Sequence, residues 1–108
     1  MPHQAKPRVR QIAKIAEIRA ALIAAGFDTT EKQAAALGLG RSTAWNVLNR
    51  DSRAGPSATI IKRILSSPNL PTRARRKIEE YVREKSRGFY GHSAHRSDVF
   101  SDQFPELT

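Results

Sequence analysis

The stretch from Thr30 to Asn49, TEKQAAALGLGRSTAWNVLN, restricts the fold more than any other part of the chain. It reads as two short helices, Glu31 to Leu37 and Arg41 to Leu48, whose connection is so brief that they must cross and touch. Ala34, Ala35 and Leu37 fall on one side of the first helix, and Ala44, Val47 and Leu48 on one side of the second. Small residues at those positions allow close approach of the two backbones. Gly38 follows the last apolar position of the first helix, where a left-handed cap is needed and a β-carbon costs about 1 kcal/mol. Leu39 then plugs the corner, and Ser42 and Thr43 suit the start of the next helix. The opposite face of that helix carries Arg41, Ser42, Trp45, Asn46 and Asn49. These groups hydrogen-bond or stack, whereas an ordinary solvated face would use Glu and Lys.

The balance of charge points to a polyanionic partner. The formal net charge is +9 and the sequence pI about 10.9. The cations belong to the helical region: residues 72 to 88 hold seven Lys or Arg against three Glu, while residues 89 to 108 hold one Arg against three acids. At 108 residues the chain has room for one modest core and none for a separate ligand domain. There is no cysteine, hence no disulfide framework, thiolate zinc site or cysteine nucleophile. No apolar run has the length of a signal peptide core or a membrane span, so the cytoplasm is the expected compartment.

Ala34 four residues before the turn glycine Gly38, Leu39 after it, and the inward Ala44 and Val47 resemble the helix-turn-helix of lambda repressor and Cro type (XRE-type) regulators. The ending Val47-Leu48-Asn49 also resembles the lac repressor version. The likeness is close over about twenty residues and extends loosely to Gly88. It implies an all-α, compact bundle of about five helices that docks its second motif helix in the DNA major groove, and base contacts at the start of that helix. The chain departs from the pattern at Gly40, where a polar residue often begins the recognition helix.

Along the chain, residues 1 to 8 form a flexible basic arm, either a solvated disordered end or one that follows a phosphate backbone or enters a minor groove. Val9 to Ala25 is an amphipathic helix with Ile12, Ile15, Ala16, Ile18, Leu22 and Ile23 as its core side, closed by Gly26 and Phe27. Asp28, Thr29 or Thr30 caps the next helix. After the motif, RDSRAGP is a loop, and Ser57 caps a helix to about Ser66 whose core side is Ile60, Ile61, Ile64 and Leu65. Thr72 to Arg87 forms a last helix, basic and with a narrow apolar stripe of Ile78, Tyr81 and Val82, so that it either docks lightly or meets a second copy. Residues 9 to 88, after the arm, make the DNA-binding domain, and 89 to 108 a tail. That tail holds four aromatics, too many for a disordered end, with Phe100 and Phe104 paired on a short helix that folds over the body or a partner subunit.

Other chemistry has little support. His92, His95 and Asp98 lack a recognisable ligand motif, so no metal is implied. Gly38-Leu39-Gly40 lacks the strand and the Lys-Ser/Thr of a phosphate loop. No catalytic constellation, cofactor or small-molecule ligand is evident, and the expectation is a non-enzyme. The sequence therefore predicts a sequence-specific transcriptional regulator, a repressor, binding double-stranded DNA as a homodimer. Arg41, Ser42, Trp45, Asn46 and Asn49 are the candidate base contacts, and Thr30, Lys32, Arg50, Arg53, Ser57 and Lys62 the candidate phosphate contacts. Trp45 is open between an outward role and a partly buried one. A nonspecific nucleic-acid binder or an antitoxin-like protein-interaction module is the competing class.

Overall fold

Leu22, Leu37, Leu48, Ile61 and Ile78 come from five different helices and meet in one core from which solvent is almost wholly excluded. The computed structural model describes residues 7–49, 55–92 and 94–108, and these form α1 (Pro7–Ala24), α2 (Thr30–Leu37), α3 (Arg41–Asn49), α4 (Ala58–Leu65), α5 (Thr72–Ser86) and α6 (Ala94–Gln103). Among the described residues there is no strand, and the fold is an all-α bundle with one helix more than the expected five. Among the described residues no helix is long and apolar enough to cross a membrane.

The α2–α3 pair is built as its sequence suggests. Thr29 caps α2 by accepting from the Lys32 amide at 3.1 Å. At the other end Gly38 takes φ 69°, and the amides of Gly38 and Leu39 return to the carbonyls of Ala35 and Ala34, a Schellman closure. Leu39 is buried in the corner. The inward small residue is Ala36, fully buried beside Ala34; Ala35, expected inside, is exposed. The turn is also backed from outside. Ser67, in the α4–α5 connection, donates to the Ala36 carbonyl at 2.7 Å, and a β-carbon on Gly38 would stand 3.2 Å from that of Ser67.

Two helices differ from expectation. In α1 the buried side is Gln11, Lys14, Ile18, Ala21 and Leu22, while Ile12 and Ile23 are exposed. The reason lies in α5, against which α1 packs: its polar side chains reach across the seam and draw Gln11 and Lys14 inward. The Lys14 ammonium lies 2.8 Å from Glu80 and 3.4 Å from both Glu17 and Glu84, and Lys77 closes the ring at 3.0 Å from Glu17. Burial pushes Lys14 down, but its hydrogen bond to Glu80 and the neighbouring carboxylates outweigh this and hold it above its ordinary value. A hydrogen bond from Lys14 correspondingly keeps the Glu80 carboxyl below its usual range.

Helix α5, for its part, is the hub of the molecule rather than a lightly docked element. It packs against α1, α4 and α6, and buries Ala74, Ile78, Tyr81, Val82 and Lys85. Helix α6 lies across α5 and α4 and brings Phe100 under the body, with Phe104 just beyond its end. Tyr81 stacks on Tyr90 at 5.3 Å, meets Phe100 edge-on at 6.2 Å, and Phe100 reaches Phe104 at 5.8 Å. Within this cluster Lys85 donates to the Tyr81 hydroxyl at 2.9 Å, which donates to Gln11 at 3.1 Å. Gly55, at φ 68°, lies so close above that pair that a β-carbon there would come within 2.6 Å of both oxygens.

Candidate nucleic-acid interface

The face of α3 is set by what its other side must do. Ala44 and Leu48 are buried, Thr43 and Val47 half-buried, and this inward anchoring turns Arg41, Ser42, Trp45, Asn46 and Asn49 out to solvent together. Trp45 is 50 % exposed, so the open choice between core and surface goes to the surface. Helix α6 covers α5 and α4 and leaves this edge bare.

The orientation of α3 is held from behind by Arg19, a residue the sequence reading did not single out. Its Nη1 donates to the Leu48 carbonyl at 2.7 Å, tying the carbonyl end of α3 to α1. The only signal in the sequence was an Arg next to an apolar face, which is ordinarily a solvated residue. Arg75 does the same for α4 through the Leu65 carbonyl at 2.9 Å, and Arg83 holds the Leu107 carbonyl at 3.1 Å. Part of the positive charge is therefore structural.

The outward side chains differ in readiness. Arg41 Nη1 stands 3.6 Å from Glu31, with both side chains more than two-thirds exposed, a pairing weak enough to be exchanged for a better acceptor. Asn49 donates its Nδ2 to the Trp45 carbonyl at 3.1 Å, which leaves its carbonyl oxygen as an acceptor. Asn46 and Ser42 are exposed beside them.

The candidate phosphate contacts lie around α3 in part. Thr30 is the first residue of α2, half-buried, and Lys32 one turn along is exposed and paired with Asp28 at 3.2 Å. Ser57 is the cap of α4, accepting from the Ile60 amide at 3.3 Å, so its hydroxyl proton is still available to an anion. Lys62 is exposed on α4. Arg50 and Arg53 lie outside the described residues. Neither α3 nor α4 contains an acidic residue, whereas Glu17, Glu80 and Glu84 are gathered in the α1–α5 seam. A groove of about 330 Å³ runs behind α3, lined by Ile12, Ile15, Ala16, Val47, Pro56 and Ile60. No family model, curated protein or solved structure matches the chain, which leaves the geometry of α3 and its surroundings to carry the functional reading.

Proposed function

We propose that the protein is a sequence-specific DNA-binding regulator of transcription, a repressor acting as a homodimer, that reads the major groove with α3 in the manner of the lambda repressor and Cro type regulators its motif resembles. The observation that carries this reading is the edge of α3: five adjoining hydrogen-bonding or stacking side chains, all exposed, on a helix anchored through its opposite side. The +9 charge supplies the attraction to phosphate that such a reader needs.

Within this reading Arg41 pairs with guanine O6 and N7 after leaving Glu31, and Asn46 takes adenine through N6 and N7. Asn49, with one of its two amide hydrogens engaged on its own helix, accepts from a base amino group through its carbonyl oxygen. Trp45 packs its exposed ring on a thymine methyl or the sugar backbone. Ser57 at the start of α4 and Lys62 meet phosphates and set the register.

Selection from random duplex DNA, followed by competition with nonspecific DNA, tests the proposal. The expected result is one recovered motif held at least about a thousandfold above nonspecific sequence. Affinity without a sequence ratio would instead identify a general nucleic-acid binder, and no binding at low salt a protein-interaction module. On the recovered site Arg41→Ala costs about 1 to 3 kcal/mol and relaxes preference at one position. Equal loss on random DNA would contradict its base-reading role. Lys62→Ala weakens all sequences similarly and flattens the salt slope by about one; an unchanged slope removes it from the phosphate set.

A further inference from the structure

Helix α1 is apolar on two opposite sides. One is buried in the core, as described above. At about 100° per residue, Val9, Ile12, Ala13, Ala16, Ala20 and Ile23 fall together on the other side. This second face carries no charge along its length: Arg8 and Arg19 lie along one edge, and Arg10 and Glu17 along the other. Val9, Ile12 and Ile23 are 51 %, 45 % and 47 % exposed. A surface helix ordinarily turns its polar side outward, and a contiguous apolar patch marks an interaction surface.

We propose that this outer face of α1 is the homodimer interface, formed by two copies of α1 packed antiparallel about a two-fold axis passing beside Ala16. The sequence is complementary to itself about that point. Val9 and Ile23 are equally distant from Ala16, as are Ile12 and Ala20. The axis therefore sets Val9 against the partner's Ile23, Ile12 against the partner's Ala20, and Ala16 against its own copy. Large side chains meet small ones at one level, and alanine at the centre lets the helices approach to about 8 Å. Such a contact is isologous and closes as a dimer.

The same axis orients the reading helices. Arg19, which grips α3, lies on one edge of the stripe. A two-fold axis perpendicular to two antiparallel helices keeps that edge on the same side in both copies, so both α3 helices face one way. The other surfaces considered for dimerisation, α5 and the tail, are already engaged with their own body through Tyr81, Phe100 and Phe104. α1 is roughly 27 Å long, and a contact confined to one face of such a helix is small for a specific interface. The dimer is accordingly reversible, and because each copy carries +9, added salt strengthens it.

The inference rests on the homodimeric reading above, and its test needs no DNA, so the two can fail separately. Sedimentation of the full chain shows a monomer–dimer equilibrium, and Ala16→Glu, which sets two carboxylates against each other, raises the dissociation constant at least about tenfold with helical circular dichroism unchanged. The chain has no cysteine, so single cysteines report the register. Under mild oxidation Ala16→Cys couples to itself, Ile12→Cys alone does not, and a mixture of Ile12→Cys and Ala20→Cys gives the mixed disulfide. Self-coupling of Ile12→Cys would overturn the antiparallel register. A monomer at all concentrations, with Ala16→Cys uncoupled, would overturn the interface, and vesicle binding by that monomer would assign the face to lipid. A dimer with these properties but no site-selective DNA binding would leave the interface standing and remove the regulator.

Discussion

Trp45 and Lys85 both have surroundings that run against their type. A tryptophan half in water on a helix whose other side is fully packed adds little to folding, so Trp45→Ala changes stability by no more than about 0.5 kcal/mol while weakening DNA binding. Thermal melting beside a binding titration checks both; a large loss of melting temperature would place the ring in a stabilising role. Lys85 is the reverse case, a cation 1 % exposed, with its ammonium 4.8 Å above the Phe100 ring and 2.9 Å from the Tyr81 hydroxyl. Burial, and after it the charge of Arg96, pushes it from 10.5 down to about 7. The unfolded chain thus holds this proton more tightly than the folded one. The resulting penalty is complete below about pH 7 and fades as pH rises toward 10.5. Urea unfolding at pH 6 and pH 9 should show the parent gaining stability at the higher pH, and Lys85→Met losing that gain. An identical pH response in the variant would assign it to other groups.

Among the elements, the helix-turn-helix was the most legible because its signals are local. A glycine required at φ 69°, an alanine spacing and a threonine cap act within a few residues of each other, and they placed α2 and α3 to within one residue at either end. The turn also has a tertiary requirement, since Ser67 stands behind Gly38. Gly38→Ala should cost about 1 to 2 kcal/mol, combining left-handed strain with the contact. Gly40, two residues on, has open space where a β-carbon would go, and Gly40→Ser should be neutral or stabilising by a few tenths of a kcal/mol as a cap for α3. Chemical denaturation of both variants decides this; similar losses would mean that the turn has no positional preference. The face of α1 was less legible. A helix apolar on two sides fits two phases, and which side is inside depends on where Glu80, Glu84 and Tyr81 of α5 reach. Arg19 escaped notice for the same reason, since its partner is a carbonyl 29 residues away.

For the molecule as a whole, α6 is part of the fold. Ending the chain after Gly91 would strip Phe100 from Tyr81, remove Phe104 behind it, and open the Lys85 site. Burying each large side chain contributes about 1.5 to 3 kcal/mol, against a total stability of about 5 to 15 for a domain. The truncated chain should melt at a markedly lower temperature and bind a hydrophobic dye; an unchanged melting curve would show that α6 is dispensable. The aromatic content of residues 89 to 108 announced that this segment has something to bury. Its destination was not readable, because aromatic residues without a regular period specify an amount of burial and no direction. The sequence alone determined the helices, the Ser57 cap, the tight α2–α3 corner and the chemistry available on α3, all effects that act over a turn or two of helix. Only the tertiary structure decided that α5 is the hub, that α1 keeps one apolar face outside, and that Arg19 fastens α3. Those outcomes depend on pairings between residues tens of positions apart, whose geometry no local pattern encodes.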